Sequence, residues 1–457
     1  MGKFAGIVAI AAALFVPPAL SVPLAFAGSQ DDLAITTAIT GRSLTFDWPA
    51  VEIGIASYEA GPTGLTIFRF PERVSAVVDV RGGAPGTVNS DLLRLGYNDR
   101  TIDAIVLSGG SAYGEEAIAA AQGGLKEMGI RSGDWRNIAV TPGAIIYDFG
   151  GRRLNEIHPD KRLSHAALKA LRPGVFPLAD QGAGRMAMQG GFFGCDSHSG
   201  QGGAFRQVGR TKIAAFVVVN ALGTVTDRDG RIVKCHANPG WKPGIRTTDI
   251  LQNLPGSLRA DWQSEQPAAG PTANTTISLI VTNRKLANPL LQRLAVQVHT
   301  SMGRGIQPFA TINDGDTLFA ASTQEIDDTE LGPVTLGAIA AEVMWDAILA
   351  SVPDEPAFAT PAAPVAVPAE TLKAWEGDYD FGGGHRLAVR VEKDGLVVQA
   401  TGEQAVFGFA KGKPLAVLAS SASDFYLPGR SPTRLSFADG GRLVLNPGRW
   451  GQAGIRK

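Results

Sequence analysis

An asparagine and two threonines stand at the entrance of a strongly apolar segment, in the stretch GPTANTTISLIVTN that covers residues 270–283. The small residues before Asn274 are typical of a flexible loop, whereas residues 277–281 are typical of a buried strand. If the chain is cut before Thr275, the threonine gains a free α-amine that can act as a base for its own hydroxyl. The alternative is an ordinary strand that begins with a β-branched residue.

The sequence lacks the usual means of activating a hydrolytic nucleophile. The HExxH and SxxK motifs are absent, and the six histidines are scattered along the chain. A hydrolase built from this sequence must therefore activate its nucleophile without an obvious histidine, as a chain-terminal threonine can. No metal or organic cofactor is expected.

A glycine-rich loop lies between a strand and a helix start in IVLSGGSAYGEEA, residues 105–117. Backbone N–H groups of such a loop can bind an anionic or polar group, so Gly110 and Ser111 are candidate substrate-binding residues. The spacing matches neither a dinucleotide-binding fingerprint nor a nucleophile elbow. The alternative is a tight turn that packs the helix on the strand.

Two cysteines, Cys195 and Cys235, leave three interpretations open. In an exported protein they can form a disulfide, which is the pairing that we predict. They can also be separate buried thiols, or they can join His198 and His236 in a zinc site. Because adjacent residues on an extended chain point to opposite faces, Cys235 and His236 are poorly placed to bind one ion.

The N-terminus has the pattern of a signal peptide. Lys3 precedes an apolar run over residues 4–16, and Ala25-Phe26-Ala27 is a small-x-small cleavage site before Gly28. A retained membrane anchor is the alternative, but the prolines that follow the run disfavour it. We predict a signal peptide over residues 1–27 and a secreted or periplasmic protein without membrane association after its removal.

Composition and patterning divide the remaining chain. A net charge of −1 without a run of Lys or Arg argues against a nucleic-acid partner. Residues 28–350 mix predicted strands with predicted helices, whereas the Pro/Ala-rich residues 351–370 are typical of a linker. Residues 371–457 alternate apolar and polar positions around two Asp-Gly turns, which predicts a small all-β domain. That domain resembles the β-barrel appendage of some exported hydrolases.

Four separated segments carry a more specific resemblance: VRGGAPGTVNSDLL, AIVLSGGSAYGEEA, NTTISLIVTN and DGDTLFAAST. They occur in the order found in the P1 peptidase family, the L-aminopeptidase/D-esterase and β-aminopeptidase enzymes, and the chain is identified as a member over about residues 45–345. The resemblance implies an α/β fold, a layered αββα sandwich. It also implies a precursor that cuts itself, and a homo-oligomer of cut protomers that acts on small peptide or amide substrates.

The resemblance also assigns roles to residues. It puts the cut between Asn274 and Thr275, makes Thr275 the nucleophile and makes Asn220 the oxyanion-hole residue. It places Tyr147 in the lining of the substrate pocket. Ordinary structural roles are the alternatives, such as a strand-end asparagine that caps a turn.

Asp314 and Asp316 match the positions that orient the nucleophile and its amine. The best-known aminopeptidases have a serine at the first position, and Ala310 replaces a histidine common before Thr311. Two carboxylates so close can hold an ammonium, or they can share a proton with the pKa of one raised, in which case the pH optimum should lie lower. An Asp-Gly-Asp turn is usually partly solvated, so we expect both carboxylates to be ionised and the activity to rise into alkaline pH. A plain Asp/Gly turn is the alternative.

The sequence therefore predicts an exported, self-processing aminopeptidase. It would remove N-terminal residues from short peptides, amides or esters through an acyl-enzyme on Thr275. One alternative is a hydrolase of another amide, such as a pantetheine-like compound or an acylated amine. The other is a catalytically inactive, uncut binding protein.

Overall fold

The computed structural model describes residues 30–96, 101–131, 133–149, 153–193, 197–234, 244–252, 274–327, 330–354, 363–406, 409, 411–428 and 433–457. The predicted signal peptide, both cysteines and part of the predicted linker lie outside the described residues. The helices are α1 Glu115–Glu127, α2 Lys161–Lys169, α3 Thr247–Leu251, α4 Asn288–Met302, α5 Pro333–Ala350 and α6 Ala369–Ala374.

The first seventeen strands belong to the part of the chain before the linker. They are β1 Ile35–Thr36, β2 Ser43–Thr45, β3 Glu52–Tyr58, β4 Thr63–Val80, β5 Thr87–Val88, β6 Thr101–Ser108, β7 Gly143–Ile145, β8 Arg172–Pro173, β9 Val175–Pro177, β10 Met188–Gln189, β11 Ser197–His198, β12 Gln201–Val208, β13 Thr211–Asn220, β14 Thr224–Val225, β15 Thr275–Arg284, β16 Ile306–Gln307 and β17 Thr317–Ile326. Residues 75–80, 101–107 and 211–220 are apolar runs whose sequence is typical of buried strands, and they lie in β4, β6 and β13.

One long strand, β4, joins two halves of the main sheet. Its first half pairs with β3 and β6, and its second half, from Ser75 onward, pairs with β17. The strand order along the sheet is β12-β13-β15-β17-β4-β6-β7-β5. Because β4 contributes to both halves, β12, β13, β15 and β17 form one layer while β3, β6 and β7 form the other.

The two sheet layers enclose one apolar core and carry helices on their outer faces. Phe68, Ile105, Phe216 and Phe319 meet in the core between the layers. The alternate residues of β13 face outward and pack with α4 and α5, and the outer face of the other layer packs with α1 and α2. The predicted αββα sandwich is confirmed.

Sequence periodicity explains the position of helix α4. Pro289 occupies its first turn, where the missing N–H costs nothing. Its apolar residues recur every three or four positions, and Leu291, Leu294, Val298 and Met302 are buried against the sheet. Leu290, at the solvent side of that stripe, is exposed.

Helix α5 is long and apolar enough, by length and composition, to cross a membrane. It is instead packed against the sheet, and Leu336, Met344 and Ile348 belong to the core beneath it. Its apolar character is that of a core helix.

A closed antiparallel barrel follows the linker, with strands in chain order around it. The strands are β18 Gly377–Asp380, β19 Arg386–Glu392, β20 Gly395–Ala400, β21 Leu415–Ala419, β22 Asp424–Tyr426, β23 Arg434–Ala438, β24 Arg442–Leu445 and β25 Gln452–Arg456. The predicted Asp-Gly turns connect β19 to β20 and β23 to β24. The barrel has its own apolar core, so the predicted all-β C-terminal domain is confirmed.

Candidate active site

The ends of neighbouring strands bring the predicted catalytic residues together. Asn220 ends β13 and Thr275 begins β15, and the two residues are direct partners in the antiparallel register. Side chains of such partners lie on the same face with Cβ atoms about 4.5–5.5 Å apart. Strand β17 runs parallel to β15 and begins directly after Asp314-Gly315-Asp316. Residues from three separate motifs therefore meet at one edge of the sheet.

The hydroxyl of Thr275 lies beside the peptide bond that precedes it. Its Oγ1 donates a hydrogen bond to the carbonyl oxygen of Asn274 at 2.6 Å. The same carbonyl oxygen accepts the backbone N–H of Gly315 at 2.8 Å. Thr275 is only 3% exposed, so both hydrogen bonds are shielded from water. An N–H aimed at a carbonyl oxygen stabilises the negative charge that develops there when the carbon is attacked.

Gly315 is a site residue that the sequence did not reveal. A Cβ at this position would lie 2.8 Å from the carbonyl oxygen of Ala84 and 2.9 Å from Oγ1 of Thr275. Only glycine lets the backbone approach Thr275 so closely. The signal available in the sequence was the glycine between two acidic residues, which equally suits a plain turn.

Asp316 is buried and holds two backbone amides. Its Oδ1 accepts the N–H of Thr276 at 2.6 Å, and its Oδ2 accepts the N–H of Ala310 at 2.9 Å. Burial, with the nearby charge of Asp314 second, raises the pKa of Asp316 to about 7. This carboxyl therefore holds a proton more readily near neutral pH than an ordinary aspartate does.

Asp314 is buried beside Asp316. Its Oδ2 accepts the backbone N–H and the hydroxyl of Thr311, at 3.0 and 2.7 Å, and its Oδ1 accepts the N–H of Leu222 at 3.4 Å. Burial raises the pKa of this carboxyl as well. The expectation of a partly solvated turn is wrong, because both side chains are buried. The raised pKa values of Asp314 and Asp316 argue against two ionised carboxylates at neutral pH.

The loop after β4 explains the glycines of the first motif. Its backbone N–H groups hold the Asp-Gly-Asp turn, with Arg81 and Gly82 donating to the carbonyl oxygen of Asp316 and Ala84 donating to that of Asp314. A Cβ on Gly82 would lie 2.2 Å from the carbonyl oxygen of Asp314. The glycine is therefore required for the loop to pack against the turn.

Both polar atoms of the Asn220 amide are fixed by the protein. Its Nδ2 donates to the carbonyl oxygen of Tyr147 at 2.9 Å, and its Oδ1 accepts the N–H of Met188 at 3.2 Å. Tyr147 thus reaches the site through its backbone carbonyl, while its ring packs edge-on against Phe149. Substrate contact by the Tyr147 ring stays a prediction.

The glycine-rich loop has the geometry of a packing turn. The N–H of Gly110 donates to Oδ1 of Asp148 at 3.0 Å, and the N–H of Ser111 donates to the carbonyl oxygen of Ile146 at 3.0 Å. Asp148 in turn forms an ion pair with Arg153 at 2.9 Å. Because both N–H groups already donate hydrogen bonds within the protein, neither is available to bind an anion in this conformation. Substrate binding by Gly110 and Ser111 stays a prediction.

Of the four residues named in the cysteine interpretations, the structure describes one. Cys195, Cys235 and His236 lie outside the described residues, and so do residues 253–273 before the predicted cut. His198 is described, and its ring stacks on Trp450 with the centroids 3.6 Å apart. Among the described residues, no group of three or more His, Cys, Asp or Glu side chains is placed to hold a metal ion.

Comparison with known proteins assigns the sequence to a family. The sequence model of peptidase family S58 matches residues 43–360. A 6-aminohexanoate-oligomer endohydrolase of Agromyces sp. is 40% identical over 347 residues, which cover 73% of this chain and 93% of that protein. An uncharacterized aminopeptidase of Mycobacterium tuberculosis is 31% identical over 318 residues, which cover 65% of this chain and 88% of that protein. A solved β-aminopeptidase of Burkholderia sp. has a TM-score of 0.47 at 17% identity and covers 69% of this chain and 89% of its own.

The chain belongs to peptidase family S58, the family that the four motifs predicted. It is an amide or peptide hydrolase. The family match ends at residue 360, so the barrel lies beyond it.

Proposed function

We propose that the chain cuts itself between Asn274 and Thr275 and then hydrolyses short amides with Thr275 as its nucleophile. The observation that carries the proposal is the placement of the Asn274 carbonyl oxygen. It lies within hydrogen-bond distance of both the attacking hydroxyl and the Gly315 amide.

In the self-cleavage step, Oγ1 of Thr275 adds to the carbonyl carbon of Asn274 and the Gly315 N–H stabilises the resulting oxyanion. The carbon–nitrogen bond then breaks, and the proton of the hydroxyl ends on the new amine. This leaves an ester between Asn274 and Oγ1, which water hydrolyses to a free carboxylate and a free hydroxyl. Thr275 becomes a chain terminus with both its amine and its hydroxyl available.

Substrate hydrolysis uses the same groups in the cut enzyme. The amine of Thr275 has an ordinary pKa of roughly 7.7–8.0 and takes the proton of Oγ1 as the hydroxyl attacks a substrate carbonyl. Asp314 and Asp316 orient that amine. An amide nitrogen carries two hydrogens, and we assign one N–H of Asn220 to the oxyanion of the acyl-enzyme step. The amine of Thr275 passes that proton to the leaving nitrogen as the carbon–nitrogen bond of the substrate breaks. Water then hydrolyses the ester on Oγ1 and releases the acyl group as a carboxylate.

Self-cleavage is tested by denaturing electrophoresis of the purified chain. We expect two fragments, with N-terminal sequencing of the C-terminal fragment giving Thr-Thr-Ile-Ser. Thr275→Ala should leave one intact chain, whereas Thr276→Ala, which removes the neighbouring hydroxyl, should still be cut. A single full-length band from an active wild-type enzyme would rule out the mechanism.

The substrate class is proposed from the relatives. The aminopeptidase activity predicted from the sequence agrees with the name of the mycobacterial protein. The more similar Agromyces protein, by contrast, is named for internal cleavage of 6-aminohexanoate oligomers. A linear 6-aminohexanoate trimer with a free or an acetylated N-terminus separates the two, with product release measured by mass spectrometry. An aminopeptidase requires the free amine, and an endohydrolase cleaves both.

Export and assembly are part of the proposal. The signal-like N-terminus predicts a mature chain that begins at Gly28 and lies outside the cytoplasm. Intact-mass measurement of protein from cell fractions tests this, since a retained Met1 would contradict it. Native mass spectrometry tests the homo-oligomer of cut protomers.

A further inference from the structure

Among the described residues, one loop of the barrel contacts the catalytic sandwich at three places. This barrel loop, residues 446–452, consists of the connection between β24 and β25 and the first residue of β25, Gln452. Arg449 donates to the hydroxyl of Thr40 at 2.9 Å and to the carbonyl oxygen of Asp180 at 3.1 Å, and it forms an ion pair with the Asp180 carboxylate. Its own carbonyl oxygen accepts a guanidinium N–H of Arg185. The loop is therefore anchored to the segment that leads into β10.

The second contact reaches one partner of Asn220. Trp450 stacks on His198 with an interplanar angle of 6°. His198 lies in β11 directly opposite Met188 of β10, whose N–H fixes Oδ1 of Asn220. Both rings are buried, so the stack supports the β10–β11 pair from the barrel side.

The third contact reaches the other partner of Asn220. Oδ1 of this asparagine is fixed through Met188, but its Nδ2 is held by the carbonyl oxygen of Tyr147. The residue after Tyr147, Asp148, is tied to Arg153 through both its backbone and its carboxylate. Leu154 follows, with its side chain in the apolar core of the barrel and its N–H donating to Gln452 at 2.6 Å.

The barrel thus supports both segments that hold the Asn220 amide. We propose that the barrel positions the oxyanion side chain of Asn220, with Trp450 as the principal positioning residue. The inference rests on the catalytic role proposed for Asn220. It gives the barrel, which lies outside the family match, a part in catalysis although it contributes no catalytic residue.

A double-mutant cycle in the cut enzyme tests the inference. Asn220→Ala should lower kcat by about 10²–10³-fold, the usual effect of losing one oxyanion donor. Trp450→Ala should lower kcat about tenfold with little change in KM, and Trp450→Phe should restore most of it because a ring remains on His198. In the Asn220→Ala background, Trp450→Ala should have no further effect, since it acts through the same side chain.

Turnover is measured per folded molecule with two probes, an alanine p-nitroanilide and the linear 6-aminohexanoate trimer. Trp375→Ala is the matched control, because its ring stacks on Phe437 and its indole N–H donates to Ala422, both within the barrel. It should lower the melting temperature without changing kcat. A crystal structure of Trp450→Ala needs no substrate and should show the Asn220 amide beyond hydrogen-bond distance of Tyr147 or Met188.

The outcomes separate the two proposals. If Asn220→Ala keeps the wild-type kcat, the catalytic role of Asn220 fails. If Asn220→Ala loses activity while Trp450→Ala keeps it, or if the two effects multiply, only the positioning role of the barrel is overturned. An unmoved Asn220 amide in the Trp450→Ala structure overturns it as well.

Discussion

Two buried acidic groups near the catalytic strand ends differ in how their charge is balanced. Asp148 forms an ion pair with Arg153 in which the side chains are 1% and 0% exposed. Asp314 and Asp316 accept hydrogen bonds from amides and one hydroxyl, and within the part of the chain that is described no cation pairs with them. A buried carboxylate without a cation favours a proton or an incoming ammonium. Asp148 is therefore suited to hold a loop, and the Asp314–Asp316 pair to hold the amine that the proposed cut would free at Thr275.

The largest expected effect comes from removing the charge of Asp148. Asp148→Asn leaves the guanidinium of Arg153 buried without a counter-ion, which typically costs about 3–5 kcal/mol of stability. Chemical denaturation of the uncut Thr275→Ala chain measures it in a single species. Asp134→Asn is the control, because the pair of Asp134 with Arg136 is exposed and should change stability by less than about 1 kcal/mol. Equal losses of stability in Asp148→Asn and Asp134→Asn would contradict a special role for the buried ion pair.

Gly315→Ala should disturb the turn that carries Asp314 and Asp316 and slow the proposed self-cleavage. The added Cβ overlaps Ala84 and Thr275, so the hydroxyl moves relative to the Asn274 carbonyl. A displacement of about 1 Å can slow a positioned reaction about 10²-fold. The rate of fragment appearance after synthesis of the chain measures it. Gly123→Ala, where nothing lies within 4 Å of the new Cβ, should cut at the wild-type rate.

Asp316 should make stability depend on pH in the uncut chain. Its pKa is raised from 3.8 to about 7 by burial, so the folded chain holds this proton more strongly than the unfolded chain. The stabilisation that comes from the protonated Asp316 carboxyl is full below about pH 4 and is lost as the pH rises toward 7. Between pH 4 and pH 7, the free energy of unfolding of the Thr275→Ala chain should fall by on the order of 1–3 kcal/mol more than that of the double variant Thr275→Ala with Asp316→Asn. Parallel stability curves for the two proteins would contradict the raised pKa.

Local pattern was sufficient for much of the fold. Strand β15 follows from its run of apolar and β-branched residues, helix α4 from its apolar spacing and Pro289, and the barrel hairpins from their Asp-Gly turns. These signals depend on neighbours a few residues apart. The αββα arrangement required the order of four motifs as well, because the pairing of β4 with both sheet layers is not written in any one segment.

The sequence by itself determined that Thr275 begins a buried strand behind small residues and that acidic residues stand before β17. Only the tertiary structure decided what these residues do to one another. The amide of Thr276 meets Asp316 forty positions away, Gly315 meets the carbonyl of Asn274, and the barrel loop reaches the two segments that hold Asn220. Burial raises the pKa of both carboxyls in the Asp-Gly-Asp turn, where the local sequence suggested a solvated turn. Such burial arises from distant segments that close over the turn, and no short stretch of sequence contains it.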